Sequence, residues 1–368
     1  MEMMKTINLT YLTMLAILEQ SEVFLFARRE AMGRSDPASG LPSLFSIQKG
    51  TAGMHLPVQR VCASALQAIG NTPVVRLQKI VPTTSAEVLV KLEYFNPTGS
   101  YKDRMALSMI EEAEARGTLR PGMTVVEYTG GSTGSSLAFV CAVKGYPFKV
   151  VSSDAFAREK LQTMRAFGAD LIIIPSIGGQ VTPDLTPRMI EAARELAKDP
   201  GIYWTDQLHN ADIITGHEHL GRELLEQIEG PIHAFCGAVG TAGMLMGVAR
   251  ALRQASITAR IIALEPASAA FLSTGYAGTH HVEGIGIGFA PPLLDAAFYD
   301  EVRGIDEGEA RHMARRLAQE EGIFTGVSSG LNIVGALQLA QELGAGHTVV
   351  TVAVDTGLKY LDGDLYEE

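Results

Sequence analysis

Four loops rich in Gly, Ser and Thr constrain this chain more than any other feature, because each stands between an apolar run of strand length and a helix-like stretch. They are Asn96-Pro97-Thr98-Gly99-Ser100-Tyr101-Lys102, Thr129-Gly130-Gly131-Ser132-Thr133-Gly134, Gly237-Ala238-Val239-Gly240-Thr241-Ala242-Gly243 and Gly326-Val327-Ser328-Ser329-Gly330. Repetition of strand, small-residue loop and helix confines a chain to a βα-repeating, largely parallel architecture. Strands are expected near residues 88–92, 124–127, 148–152, 170–175, 234–237, 260–265 and 348–354. Helical periodicity is clearest over residues 107–116, 158–167, 189–198, 217–229 and 307–321.

The loops differ in the chemistry they offer. In the first, a Pro and a Gly break the chain before a helix and leave Lys102 at its mouth, with Asp103 and Arg104 behind it. A lysine there is placed to form a Schiff base with a carbonyl cofactor. Taken alone, a lysine in a first helical turn is more often a solvated surface residue. The second loop offers backbone N–H groups and hydroxyls that suit a carboxylate, and the third could cradle a phosphate in the same way. Singly, each also fits an ordinary turn between strand and helix.

Together and in this order, the loops resemble the cysteine synthase and cystathionine β-synthase family of fold-type II pyridoxal-phosphate enzymes. The resemblance runs from about Leu66 to about Leu365. It includes Ile69-Gly70-Asn71-Thr72-Pro73, Val75-Arg76-Leu77, Lys91-Leu92-Glu93, Ala166-Phe167-Gly168-Ala169, Gln207 to Asn210, Glu265-Pro266, Gly284 to Pro291, Asp355-Thr356-Gly357 and Tyr360-Leu361. It implies an α/β fold of two lobes, each a largely parallel sheet flanked by helices, with pyridoxal 5'-phosphate between them. On that pattern a smaller lobe of residues 89–206 is inserted into a larger one built from residues 54–88 and 207–368.

Residue by residue, the resemblance makes Lys102 the cofactor's internal-aldimine lysine and the base that removes the substrate α-proton. Both roles need an amine that is neutral part of the time. Thr129, Gly130, Gly131 and Thr133 match the loop that grips the substrate carboxylate, assisted by Gln207. Gly240, Thr241, Ala242 and Gly243 fall in the phosphate cup, and Ser328 matches the serine facing the pyridine nitrogen. A serine there protonates the ring far less than a carboxylate would, which favours expulsion of a β-substituent over transamination. The implied reaction is β-replacement through an aminoacrylate, with O-acetylserine or a related donor and sulfide or a thiol. β-Elimination of the dehydratase or desulfhydrase type and a degenerate non-catalytic homologue are the alternatives.

The chain departs from the family pattern where specificity is set. Gly130 stands in place of a hydroxyl residue, and Ser132 in place of the asparagine that bonds the cofactor's phenolic oxygen. Ala242 replaces a glycine of the phosphate cup and Met244 its second threonine. Losing a hydroxyl to a charged phosphate costs about 1.5 to 3 kcal/mol if nothing replaces it. Tyr101 is bulkier than the small aliphatic residue usual before the lysine and narrows the site.

Composition is compatible with this reading. With 368 residues, 46% hydrophobic, the chain can bury a large core. A formal charge of -11 argues against nucleic acid and anionic membranes as partners, and the small-molecule amino-acid substrate is what the resemblance implies. Cys62, Cys141 and Cys236 lie far apart among apolar neighbours and read as buried thiols of a reducing, cytoplasmic compartment. A homodimer is expected from the family. Glu19, Gln20 and Glu22 interrupt the apolar stretch from Ile7 to Phe26, which argues against a transmembrane span or secretory signal; residues 1–53 read as a flexible extension, rich in Gly, Ser and Pro from Gly33 to Gly53, or as a misassigned start with Met54 as the initiator. His209, His217 and His219 lack metal-ligand spacing, Arg158 to Lys160 and Arg311 to Arg316 read as solvated helix faces, and His281 and Glu283 as structural or solvent-facing.

Overall fold

The computed structural model describes residues 61–367 apart from 181 and 183, so the expectation for residues 1–53 lies outside the described residues. Ten strands form two sheets. The larger is ordered β1-β2-β10-β7-β8-β9, where β1 is Val74–Arg76, β2 Glu87–Leu92, β7 Ala234–Ala238, β8 Arg260–Pro266, β9 Glu301–Ile305 and β10 Thr348–Ala353. Only β1 runs antiparallel to its neighbour; the other pairings are parallel. The smaller sheet is ordered β5-β4-β3-β6 and wholly parallel, from β3 Thr124–Tyr128, β4 Phe148–Ser153, β5 Asp170–Ile174 and β6 Ile202–Trp204.

Strand composition follows position. The central strands β7 and β10, Ala-Phe-Cys-Gly-Ala and Thr-Val-Val-Thr-Val-Ala, are buried at every residue, as strands covered on both faces must be. Edge strands carry charge: Arg76 of β1 pairs with Glu87, and Arg303 of β9 with Glu301 and Glu342.

Eight main helices cover the sheets: α1 Lys102–Ala115, α2 Ser132–Lys144, α3 Arg158–Ala166, α4 Leu185–Leu196, α5 Asp212–Gln227, α6 Gly243–Gln254, α7 Glu307–Arg316 and α8 Val327–Leu343. One core cluster packs Met105, Met109 and Ile110 of α1 with Leu137 of α2 and Phe235 of β7; another packs Val88, Ile262 and Leu264 against Leu331 and Leu339 of α8. Helices α5 and α6 touch at two glycines. A Cβ on Gly221 would lie 2.5 Å from that of Ala251, and one on Gly247 would lie 2.6 Å from that of His217. Only glycine permits that approach.

Several expectations are corrected. Helix α4 starts at Leu185, earlier than expected, because Pro187 falls in its first turn, where its missing N–H costs nothing. The helix expected over 307–321 ends its α-helical part at Arg316 and continues as a π-helical turn, Leu317–Glu321, before Gly322 at φ +71°. Strands β1 and β6, three residues each, were too short for periodicity to reveal, and β9, Glu-Val-Arg-Gly-Ile, is broken by charge and a glycine. Lys160, expected on a solvated face, is buried, because α3 turns it inward against Tyr360. Arg311, Arg315 and Arg316 are half-buried rather than solvated, each bonded to a neighbouring segment or turn. Cys62, expected to be buried, is exposed, ahead of the first element, whereas Cys141 and Cys236 are buried.

Candidate active site

The lysine loop leaves β2 and is tied to the end of β10. Ser100 forms a bridge with Asp355, and the Tyr101 N–H donates to the Val354 carbonyl at 3.1 Å. Gly99 turns at φ +71°, where a Cβ would lie 2.7 Å from Thr356 Cγ2. Asp103 folds the loop back on itself, its carboxylate accepting from Thr98 N–H at 2.8 Å and Thr98 Oγ1 at 2.5 Å. Lys102 thereby becomes the first residue of α1, 7% exposed, with Nζ 4.6 Å from the Tyr101 ring centroid. That ammonium makes no hydrogen bond or ion pair among the described residues.

Tyr101 does not project into open space. Its ring rests on His217, centroids 5.2 Å apart. His217 Nδ1 is 2.7 Å from the Ile213 carbonyl, while Nε2 is buried with no partner among the described residues. Burial drives the His217 pKa down to about 3, helped by the nearby Lys102 and Arg104 charges, so the ring is neutral. His209 pairs with Asp206 and His219 with Arg222, so the three histidines face three different neighbours.

Behind the lysine lies a buried charge network. Arg104 makes two bonds to Glu93, at 2.7 and 2.8 Å, and two to Glu223, both at 2.7 Å. Lys91 Nζ lies 2.6 Å from Glu223. Burial works to raise both carboxyl pKa values, but the Arg104 charge and hydrogen bonds outweigh it. Glu93 is held below the usual range and Glu223 at about 2. Motif residues of β2 and α1 are thus bolted to α5.

The second loop follows β3. Thr129 Oγ1 accepts the Gly131 N–H at 3.1 Å, and Thr133 Oγ1 donates to Gln207 Oε1 at 2.8 Å. Gln207 is held further by its Nε2 on the Tyr128 carbonyl, 3.1 Å, and its N–H on Glu127, 3.0 Å. Glu127 is fully buried and also accepts from Thr205 Oγ1 at 2.6 Å and Tyr128 N–H at 2.9 Å. Burial raises its pKa to about 7 despite these donors.

Two departures from the family pattern find structural partners here. A Cβ on Gly130 would fall 2.1 to 2.3 Å from ring atoms of Phe156, so the aromatic ring occupies that side of the loop. Ser132 Oγ accepts a hydrogen bond from Lys359 Nζ at 3.0 Å.

The third loop follows β7, next to β10 in the sheet. A Cβ on Gly240 would lie 2.1 Å from the Gly284 carbonyl oxygen, and one on Gly243 would lie 2.7 Å from Ile213. Ala242 caps α6 in the left-handed region, φ +68°, where glycine is usual. Met244 turns away to pack under the strand, its Cε 2.4 Å from where a Gly237 Cβ would be. The fourth loop opens α8. Ser328 is 4% exposed, and its neighbour Ser329 accepts the Val354 N–H at 2.9 Å. Lysine loop and Ser328 loop therefore meet at Val354.

Lys102, the Gly240–Gly243 cup and Ser328 all sit at the carboxyl ends of the adjacent strands β2, β10 and β7, where open parallel sheets bind ligands. The Thr129–Thr133 loop sits at the carboxyl end of β3. Lys102 Nζ and the hydroxyls of Thr241 and Ser328 have no hydrogen-bond partner among the described residues. An amine and two hydroxyls without partners, set about a cup of close-packed backbone, fit an aldehyde-bearing heteroaromatic phosphate.

Phe156, Lys160, Glu127 and Lys359 escaped recognition as site residues. Lys359 and Glu127 stood inside or beside quoted motifs, but contacts between distant segments carry no local sequence signal.

A family model described as "Pyridoxal-phosphate dependent enzyme" matches residues 65–355. A cysteine synthase of Staphylococcus aureus (strain Mu50 / ATCC 700699) is 42% identical over 310 residues, 84% of this chain and 98% of that protein. An O-ureido-L-serine synthase of Streptomyces lavendulae is 39% identical over 310 residues, covering 83% and 92%. The crystal structure of a cysteine synthase from Entamoeba histolytica superposes with a TM-score of 0.81 at 33% identity, covering 87% of this chain and 95% of that one. By sequence and by fold, the chain belongs to the fold-type II pyridoxal-phosphate-dependent enzymes of the cysteine synthase type.

Proposed function

We propose that this enzyme replaces the β-substituent of a small amino acid, and that Lys102 holds the cofactor and moves the α-proton. The observation that carries this reading is the open Lys102 ammonium at the head of α1, tied through Val354 to a serine loop rather than to a carboxylate. Bound there, pyridoxal phosphate supplies an electron-withdrawing ring that lets the α-proton leave. The Gly240, Thr241, Ala242 and Gly243 backbone and the Thr241 hydroxyl receive its phosphate at the start of α6. Ser328 would offer the ring nitrogen a neutral hydroxyl, and Ser132 would stand near the phenolic oxygen. Thr129, Gly130, Gly131 and Thr133 receive the substrate carboxylate on backbone N–H groups and hydroxyls, with Gln207 fixed beside them by Thr133 and Glu127. Lys102, released on substrate binding, takes the α-proton and later returns it.

The two sheets correspond in this reading to a smaller lobe of residues 89–206 and a larger one of 54–88 and 207–368, apart from β2, which lies in the larger sheet throughout Glu87–Leu92. The working form is a homodimer in the cytoplasm. Among the described residues no helix is long and apolar enough to cross a membrane.

The test is an absorbance scan of the purified protein with pyridoxal phosphate, followed by O-acetylserine, O-phosphoserine, serine and cysteine in turn. A visible band that shifts with a donor and returns when sulfide is added, with cysteine formed, supports replacement. Pyruvate and ammonia regardless of sulfide would mean elimination. A band unchanged in Lys102→Ala, or none in the wild type, would overturn the assignment of Lys102.

A further inference from the structure

Two lysines outside the roles above are linked through Tyr360, and one of them, Lys359, touches the Thr129–Thr133 loop at Ser132. Lys359, in the 3-10 turn Gly357–Tyr360, donates to Ser132 Oγ at 3.0 Å and has no carboxylate within ion-pairing distance among the described residues. Asp355 and Asp103 act on it only from farther away, and burial lowers its proton affinity. Lys160, 4% exposed on α3, reaches over Tyr360 with Nζ 5.0 Å from the ring centroid and pairs with Glu283. Burial lowers the proton affinity of Lys160, the Asp355 carboxylate opposes that, and the charge of Lys359 adds to it.

Two like charges gathered near one tyrosine are costly unless anions answer them. Glu283 answers one, from a side chain itself 51% exposed. The other touches only a neutral hydroxyl, with Asp355 and Asp103 acting on it from beyond ion-pairing distance. Because lysine can only donate, Ser132 Oγ accepts from it and turns its own proton elsewhere. Phe156 walls off the loop at Gly130, which leaves the lysine side as its charged flank.

We propose that Lys359, supported by Lys160, is a subsite for an anionic β-substituent, so that the preferred donor is a phosphate ester such as O-phosphoserine rather than a neutral acyl ester. The proposal rests on the β-replacement reading and specifies its donor. The chemistry balances without a redox partner. The α-proton of the donor passes to the Lys102 amine, the Cβ–O bond breaks, and its electron pair departs on the ester oxygen as inorganic phosphate. Hydrosulfide then supplies the pair for the new Cβ–S bond and Lys102 returns the proton to Cα. O-phosphoserine and hydrosulfide give cysteine and hydrogen phosphate. Negative charge grows on the departing oxygen as the bond stretches, so an ammonium beside it acts more strongly in the transition state than on the bound donor.

The experiment measures kcat/KM of the holoenzyme for O-phosphoserine and O-acetylserine, with hydrosulfide, in wild type, Lys359→Met and Lys359→Arg. The expected result is a wild type that prefers O-phosphoserine, a preference ratio lowered roughly ten- to hundred-fold in Lys359→Met, and a ratio largely kept in Lys359→Arg. A wild type that prefers O-acetylserine overturns the proposal even if no variant folds, and so does a ratio that Lys359→Met leaves unmoved. Replacing hydrosulfide by mercaptoacetate tests the other source of an anion. If Lys359→Met alters only discrimination between these nucleophiles, the lysines serve the incoming group and the donor assignment falls. Turnover of O-acetylserine without O-phosphoserine removes this proposal alone, whereas turnover of neither removes the β-replacement reading with it.

Discussion

The ring of Phe156 stands where the side chain of any residue but glycine at position 130 would have to begin, with ring atoms 2.1 to 2.3 Å from the ideal Cβ. The two residues come from different loops, after β3 and after β4, and neither can be read without the other. Gly130→Ser, which restores the hydroxyl usual in the family, is therefore expected to displace the carboxylate loop and lower kcat/KM for the amino acid by roughly ten- to hundred-fold. Adding Phe156→Ala should recover most of that loss. A double-mutant cycle is expected to give a coupling of about 1 to 3 kcal/mol; additive effects would show that the ring is not the obstacle.

Arg104→Met leaves Glu93 buried beside Thr72 and Asn96 without its ion-pair partner, with only the more distant Lys91 charge to answer it. The expected loss is about 3 to 5 kcal/mol in denaturant unfolding. Lysine at this position cannot reproduce the four-bond fork, so Arg104→Lys should also lose stability.

The same network sets an acid limit. Folding lowers the Glu223 pKa from the ordinary 4.5 to about 2, and Glu93 moves in the same direction. Their contribution is complete above pH 4.5 and drains away as the pH falls toward 2, because the unfolded chain takes up protons that the native one refuses. Wild type should lose stability steeply across that interval, and Arg104→Met less so.

Glu127 works in the opposite sense. Its pKa rises on folding from 4.5 to about 7, so the native state binds a proton that the unfolded chain has released. Between those values its term favours folding as the pH falls, by roughly 3 kcal/mol in all. Thermal unfolding of wild type and Glu127→Gln from pH 5 to 8 should diverge with pH, the wild type losing ground as the pH rises. Parallel curves would show that this carboxyl does not titrate in that range.

Cys141 and Cys236 are buried and their thiols pushed up to about 12. Both are expected to resist iodoacetamide at pH 8 in the folded protein and to react fully in guanidinium, as mass spectrometry of the labelled peptides would show.

Much of this was legible in the chain because the informative signals are local. The strands 88–92, 124–127, 148–152 and 234–237 were expected within a residue of where they lie, since each is an apolar run closed by a small-residue loop. The same loops marked Lys102 and Ser328. What escaped was set by partners distant in sequence. Nothing near Lys160 shows that α3 rolls it onto Tyr360, two hundred residues on, and its charged neighbours argued for solvent. Ser132 read only as a shorter residue in place of the family asparagine, because Lys359 could not be placed beside it. Tyr101, expected to narrow the site, is occupied in part by stacking on His217.

The groups assigned to the cofactor's amine linkage, phosphate and ring nitrogen hang from neighbouring strands of one sheet, while the carboxylate loop hangs from the other. Small shifts between the sheets would then alter the grip on the amino acid and leave the grip on pyridoxal phosphate nearly untouched. On that assignment, substrate exchange and cofactor retention depend on two separate pieces of backbone, and one can loosen without the other.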